Sequence, residues 1–177
     1  MKLKRQGFAA CTILMAELLL LPAAHADAAA DVQRAIDQGD AARALALATP
    51  ALTAKPGDAR LRFLQGVALF DLKRDAQALA VFSALAQDYP QLPEPHNNIA
   101  AIHARMGQWE QARTALEMAL RNDPSQNAAR ENLGDVYLQL ALAQWSTAGS
   151  KTRPSPELQR KLRLARELLA AQPEAGR

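Results

Sequence analysis

The chain holds one cysteine and eight aromatic residues (four Phe, two Trp, two Tyr) in 177 positions. A single thiol cannot close an intramolecular disulfide or build a multi-thiolate zinc or iron–sulfur site. So few aromatics beside 39 alanines disfavour an all-β sandwich and a parallel α/β sheet, because alanine is the strongest helix former and aromatics belong to strands. Eight glycines and ten prolines are too few for collagen or a low-complexity linker. A hydrophobic content of 49% with a net charge of +3 excludes wholesale disorder. The length fits one ordinary domain, and the composition predicts that it is all helical.

The N-terminus carries its own signal. Lys2, Lys4 and Arg5 precede an apolar run over residues 8–21, which ends in Pro22-Ala23-Ala24-His25-Ala26. Charge, apolar stretch and small residues in that order predict a cleavable secretory signal peptide over residues 1–26, an exported periplasmic chain, and a mature start at Asp27. The apolar run rises only ~21 Å as a helix against a hydrocarbon core of ~30 Å, and Glu17 interrupts it, which disfavours a spanning segment. The alternative is that residues 8–21 stay as an anchor for a membrane-tethered structural subunit. Cys11 lies near the start of the apolar run, whereas a lipidated cysteine follows it, so lipidation is not expected. Cleavage removes Cys11 and leaves no thiol, which suits an oxidising compartment. The basic excess is confined to residues 151–177, and residues 27–150 are net acidic.

A period of 34 residues organises the rest. Pro56, Pro90 and Pro124 keep that interval, as do Ala44, Ala78 and Ala112. Four residues beyond each alanine stand Ala48, Phe82 and Leu116, and seven beyond stand Ala51, Leu85 and Ala119, all on one helical face. Upstream, Arg62-Phe63-Leu64-Gln65-Gly66, His96-Asn97-Asn98-Ile99-Ala100 and Arg130-Glu131-Asn132-Leu133-Gly134 repeat in the same phase. Each unit therefore reads as two helices.

On these residues the sequence resembles the tetratricopeptide repeat family, whose unit reads W-x2-L-G-x2-Y, A-x3-F and P. Residues 59–92 supply Gly66, Ala78, Phe82 and Pro90; residues 93–126 supply Ile99, Ala100, Gly107, Ala112, Leu116 and Pro124. Residues 27–58 are a degenerate pair with Gly39, Ala44 and Pro56, and Leu133, Gly134 and Tyr137 begin a fourth unit. Ala28, Arg62, His96 and Arg130 stand where the family places a large aromatic, so looser packing is expected there. Ala148-Gly149-Ser150 and Pro154 predict a loop after the fourth first helix. Ser155-Pro156-Glu157 then opens an amphipathic capping helix, with Leu158, Leu162, Ala165, Leu168 and Leu169 on its apolar face and Arg160, Lys161, Arg163 and Arg166 outside. Residues 127–171 thus read as partial repeat, loop and cap, and residues 172–177 as a disordered tail. The resemblance implies a right-handed α-solenoid, because one hairpin cannot bury its apolar face alone and neighbours must stack.

The resemblance also implies a concave groove lined by the first helices, at positions 2, 5, 6, 9 and 13 of each unit. These are Arg60, Phe63, Leu64, Val67 and Asp71; then Glu94, Asn97, Asn98, Ala101 and Arg105; then Ala128, Glu131, Asn132, Asp135 and Gln139. Asn98 and Asn132 either begin an asparagine ladder that clamps a peptide backbone or simply solvate the helix surface. Phe63, Leu64, Val67 and Phe70 either add an apolar patch to the groove or pack on the preceding pair. Trp109 and Trp145 read as partly buried lids, with a partner contact as the alternative.

Little else points to chemistry. His96 and His103 are two helical turns apart, ~10 Å by rise, too far to share a metal; a core or half-buried packing role is expected, and no metal or cofactor. No nucleophile elbow, phosphate loop or zinc motif occurs in the sequence, so no enzyme is expected. The basic cluster lacks interleaved aromatics and reads as a solvated face, so a nucleic-acid partner is not expected. The expected function is a periplasmic scaffold that holds a segment of another envelope protein, with no membrane contact once the signal is cleaved.

Overall fold

A computed structural model describes residues 28–151 and 153–171; the expected signal peptide and C-terminal tail lie outside them. The described residues form α1 (Ala28–Asp37), α2 (Ala41–Ala54), α3 (Ala59–Asp71), α4 (Asp75–Asp88), α5 (Pro93–Arg105), α6 (Trp109–Asn122), α7 (Asn127–Lys151) and α8 (Pro156–Ala171), with no strand among them. Asp40 and Asp58 cap α2 and α3 by accepting from the backbone N–H groups of Arg43 at 2.9 Å and Leu61 at 3.0 Å, which satisfies donors that a helix start leaves orphaned. Gly39, Lys73 and Gly107 turn each first helix into its second with φ of 73°, 59° and 71°. They too are 34 residues apart.

The repeat positions build the core. Ala44, Ala48, Ala78, Phe82, Leu85, Ala112, Leu116 and Ala119 are all buried, while Ala51 lies half-buried at the rim of the first cluster. Small residues let the paired helices approach, and Phe82 and Leu116 fill the space between them. Each helix packs on the next through to α8, as stacked hairpins require. In addition α1 packs on α3 and α3 on α5, whereas the second helices make no comparable contact with one another. Closer spacing on the side of the first helices bends the stack toward them. The result is an all-α solenoid whose concave side carries α1, α3 and α5, with α7 joined to that side by the hydrogen bond from Asn132 to Asn97.

Polar tethers replace the missing aromatics at two of the unit starts. Arg62 donates to Asp88 at 2.6 Å, and Arg130 donates to the carbonyl of Pro124. Between units, Asn122 donates to the carbonyl of Pro90 at 2.7 Å and Tyr89 to that of Gly57 at 3.2 Å. Where α5 carries His96 in place of the aromatic, α5 and α6 still pack closely, and a surface depression of about 430 Å³ beside them is lined by His96, Ile99, His103, Glu110, Thr114 and Met118 among others.

Two expectations at the C-terminus need correction. The helix α7 continues through Ala148-Gly149-Ser150 to Lys151, so the loop is shorter than expected. A Cβ at Gly149 would lie 3.7–3.9 Å from Pro154, Leu162 and Leu158: α8 folds back onto the glycine, and its packing outweighs the low helix propensity of the segment. The α8 start is as expected, with Ser155 Oγ accepting from Leu158 N–H at 3.2 Å. Leu162 and Ala165 are buried, Leu158 and Leu169 half-buried. Leu168, expected on the packed face, is 59% exposed and Leu164 45%, because α7 covers only one edge of the last helix.

Candidate functional site: the concave face

Every first helix sends one stripe inward to the hairpin core and another toward the concave side. Leu64 is not a groove residue: it is 3% exposed and joins Val32, Ala44 and Ala48 in the first cluster. Phe63 is half-buried beside it, its ring 5.6 Å from that of Phe82 and tilted by 58°. Val67 and Phe70 are half-buried against the cluster around Phe82 and Ile102. Of the two alternatives for this apolar set, packing on the preceding pair holds for Leu64 and Phe63, whereas Val67 and Phe70 are covered by the cluster that α4 and α5 supply.

Arg105 is also engaged within the fold. Its guanidinium lies 3.7 Å from the ring centroid of Phe70, pairs with Asp75 through Nη2 and through Nε at 3.1 Å, and donates to the carbonyl of Phe70 at 3.2 Å. One side chain thereby ties α5 to α3 and to the start of α4. Asp71, beside it on the concave side, has its carboxyl pK raised by burial, against the opposing pull of Lys73 and Arg105. Sequence reasoning missed Phe70 and Asp75 as partners of Arg105, and no spacing in the sequence announces a contact across 30 and 35 residues.

The α5–α7 half of the face is more open. Asn132 donates to Asn97 Oδ1 at 3.2 Å and so joins two repeats across the concave surface. Asn98 donates to the carbonyl of Glu94, one turn back on its own helix, at 2.9 Å. The two position-6 amides therefore do not bond to each other; the cross-repeat link uses position 5 of one unit and position 6 of the next. Arg60, Glu94, Glu131 and Asn132 are exposed, and Asn97, Asn98 and Asp135 half-buried. The structure thus brings Glu94, Asn97, Asn98, Glu131 and Asn132 to neighbouring stretches of two helices, leaves Arg60 further along the face on α3, and commits Phe63, Val67 and Arg105 to internal contacts.

Outside the groove, His103 Nδ1 lies 2.7 Å from Gln108 Oε1, and burial lowers the pK of His96, with Arg121 acting in the same direction. No group of three His, Cys, Asp or Glu residues suited to a metal occurs among the described residues. Trp109 packs half-buried against the cluster of Ala112, Leu116, Ala119 and Val136, and Trp145 is half-buried near the end of α7. No helix of the described residues is long and apolar enough to cross a membrane.

No curated protein sequence matches the chain. Among solved structures it is similar to the first TPR domain of human RPAP3, with a TM-score of 0.61 and 20% identity over 64% of this chain and 90% of that one. The first TPR of Spaghetti (RPAP3), bound to the HSP90 peptide SRMEEVD, matches with the same TM-score, identity and coverage. MamA from Desulfovibrio magneticus RS-1 matches at a TM-score of 0.57 and 17% identity over 82% of this chain and 75% of that one. At such identities the likeness is one of fold. A sequence model described as tetratricopeptide repeat matches residues 30–93 and 98–144. With that model spanning more than half of the sequence, and with the 34-residue turns, small-residue core and stacked hairpins in place, the chain belongs to the tetratricopeptide repeat family.

Proposed function

We propose that the chain is a non-catalytic adaptor of the periplasm that holds a segment of another envelope protein on its concave face. The observation that carries this reading is the Asn132–Asn97 hydrogen bond, which makes one continuous polar surface of two repeats while their opposite faces are buried in the core. A surface of this kind offers both donors and acceptors to an extended backbone. The RPAP3 relative holds a peptide on the same fold, which supports a protein partner. The periplasmic part of the proposal rests on the basic, apolar and small-residue order of residues 1–26.

Recovery of partners from periplasmic extract on the immobilised protein, compared with Asn98→Ala combined with Asn132→Ala, tests the groove: the variant is expected to lose the partners, and equal recovery refutes the assignment. N-terminal sequencing of the exported chain tests the location. A start at Asp27 is expected, and a product that keeps residues 8–21 refutes it in favour of a membrane-tethered subunit.

A further inference from the structure

Resting on the groove reading above, we infer that the occupant of the α5–α7 half is a lysine- or arginine-bearing segment in extended conformation. Charge is the first argument. The concave positions of α5 and α7 carry the carboxylates of Glu94, Glu131 and Asp135 against the single guanidinium of Arg105, and that guanidinium is already paired with Asp75 and seated on Phe70. Glu94 and Glu131 are exposed and, among the described residues, enter no ion pair. A cation lying along this surface meets the exposed carboxylates of Glu94 and Glu131, while the one guanidinium at these positions is engaged by Asp75. An acidic chain meets repulsion.

The amides supply the second argument, independent of charge. Asn132 Nδ2 is spent on Asn97 and Asn98 Nδ2 on the carbonyl of Glu94, which leaves Asn97 Nδ2 as a donor and the Oδ1 atoms of Asn98 and Asn132 as acceptors. One donor and two acceptors on adjoining helix turns match the alternating C=O and N–H groups of an extended backbone. The carboxylates then read side chains while the amides hold the main chain. The peptide SRMEEVD, held by the RPAP3 relative, has the opposite charge balance, with two Glu and one Asp against one Arg. The concave surface described here is expected to reject it.

The test is fluorescence anisotropy on the full chain with two amidated heptapeptides, SRMEEVD and the same sequence with its three acids replaced by lysine. The lysine peptide is expected to bind, more weakly as salt is raised from about 50 mM to about 500 mM, and to lose about tenfold in affinity in Glu94→Gln combined with Glu131→Gln. Glu157→Gln, on the outer face of α8, serves as a control that leaves binding unchanged. No binding of the lysine peptide at about 1 mM, or binding unaffected by the paired glutamines, overturns the inference. Tighter binding of the acidic peptide, lost in Asn97→Ala combined with Asn132→Ala, overturns the charge class yet leaves the groove standing. Binding untouched by any of these substitutions sinks both. A dimer in sedimentation that dissociates in the paired-glutamine variant would put the basic α8 of a second copy on this face, and that too overturns a separate cationic partner.

Discussion

A Cβ placed on Gly66 would lie 2.6 Å from Cε1 and 2.7 Å from Cζ of Phe82. The Phe82 ring is fully buried and leans on Phe63, so it has no direction in which to swing away. Alanine gains ~1 kcal/mol of helix propensity over glycine, but overpacking a filled core costs about 1–3 kcal/mol. Gly66→Ala is therefore expected to destabilise by up to about 2 kcal/mol, read as a lower urea midpoint. Combining it with Phe82→Leu should recover part of the loss relative to Phe82→Leu alone. A Gly66→Ala midpoint at or above the parent's would show that the ring has room.

The turn between the helices of the second unit departs from its neighbours. Gly39 and Gly107 hold φ of 73° and 71°, and Lys73 holds 59° at the equivalent position. The left-handed region strains a side-chain-bearing residue by ~1–2 kcal/mol, partly offset in glycine by ~0.5–1 kcal/mol of extra unfolded-state entropy. Lys73→Gly should thus raise stability by about 0.5–1 kcal/mol, although it also removes an attraction to Asp71. Gly39→Ala and Gly107→Ala should each lower it by about 1 kcal/mol. Nothing lies within 4 Å of a Cβ at either glycine, so the pair reports backbone strain alone. Thermal midpoints that move in the same direction for all three substitutions would contradict this account.

Arg105 holds three groups on two other helices, and its side chain and that of Asp75 are only 22% and 25% exposed. Shielding of that extent lifts the pair above an ordinary surface ion pair. Arg105→Lys keeps the charge but forfeits the planar fork that serves ring, carboxylate and carbonyl together. A loss of about 1 kcal/mol is expected from the lysine variant and about 2 kcal/mol from alanine. A double-mutant cycle with Asp75→Ala should show coupling of at least ~0.5 kcal/mol. Additive losses would mean that the ion pair contributes nothing of its own.

Burial lowers the pK of His96, which means that the folded chain disfavours the imidazolium form. A group with a depressed folded pK contributes stability that is complete above its unfolded pK, ~6.5, and lost as pH falls through the folded value. Stability is therefore expected to decline between about pH 7 and pH 5, and His96→Gln should make that decline shallower. Urea midpoints at the two pH values check it. An unchanged slope in the variant would place the titration elsewhere.

The repeat architecture was legible in the sequence because its causes are local. Pro56, Pro90 and Pro124 end units, Ala44, Ala78 and Ala112 admit a close neighbour, and Ser155 caps a helix through its own hydroxyl; none of these needs a distant partner to act. Position within the period likewise marked Gly66 and Phe82, which meet in the core. The concave face was legible only as a set of positions. Leu64 and Asn98 occupy equivalent places in successive units, yet one is core and the other surface, because α3 rests on a preceding pair rich in small apolar side chains.

Period and composition determined that this chain would be paired helices stacked in phase, since 34-residue spacing of small, apolar and turn residues repeats one set of short-range constraints. Tertiary structure alone decided that Arg105 closes on Phe70 and Asp75 instead of facing a partner, that Asn132 reaches Asn97 rather than Asn98, and that α7 runs on past Gly149 under the cover of α8. Each of those outcomes depends on which side chain lies opposite after stacking, a relation that the curvature of the solenoid sets and no local interval records.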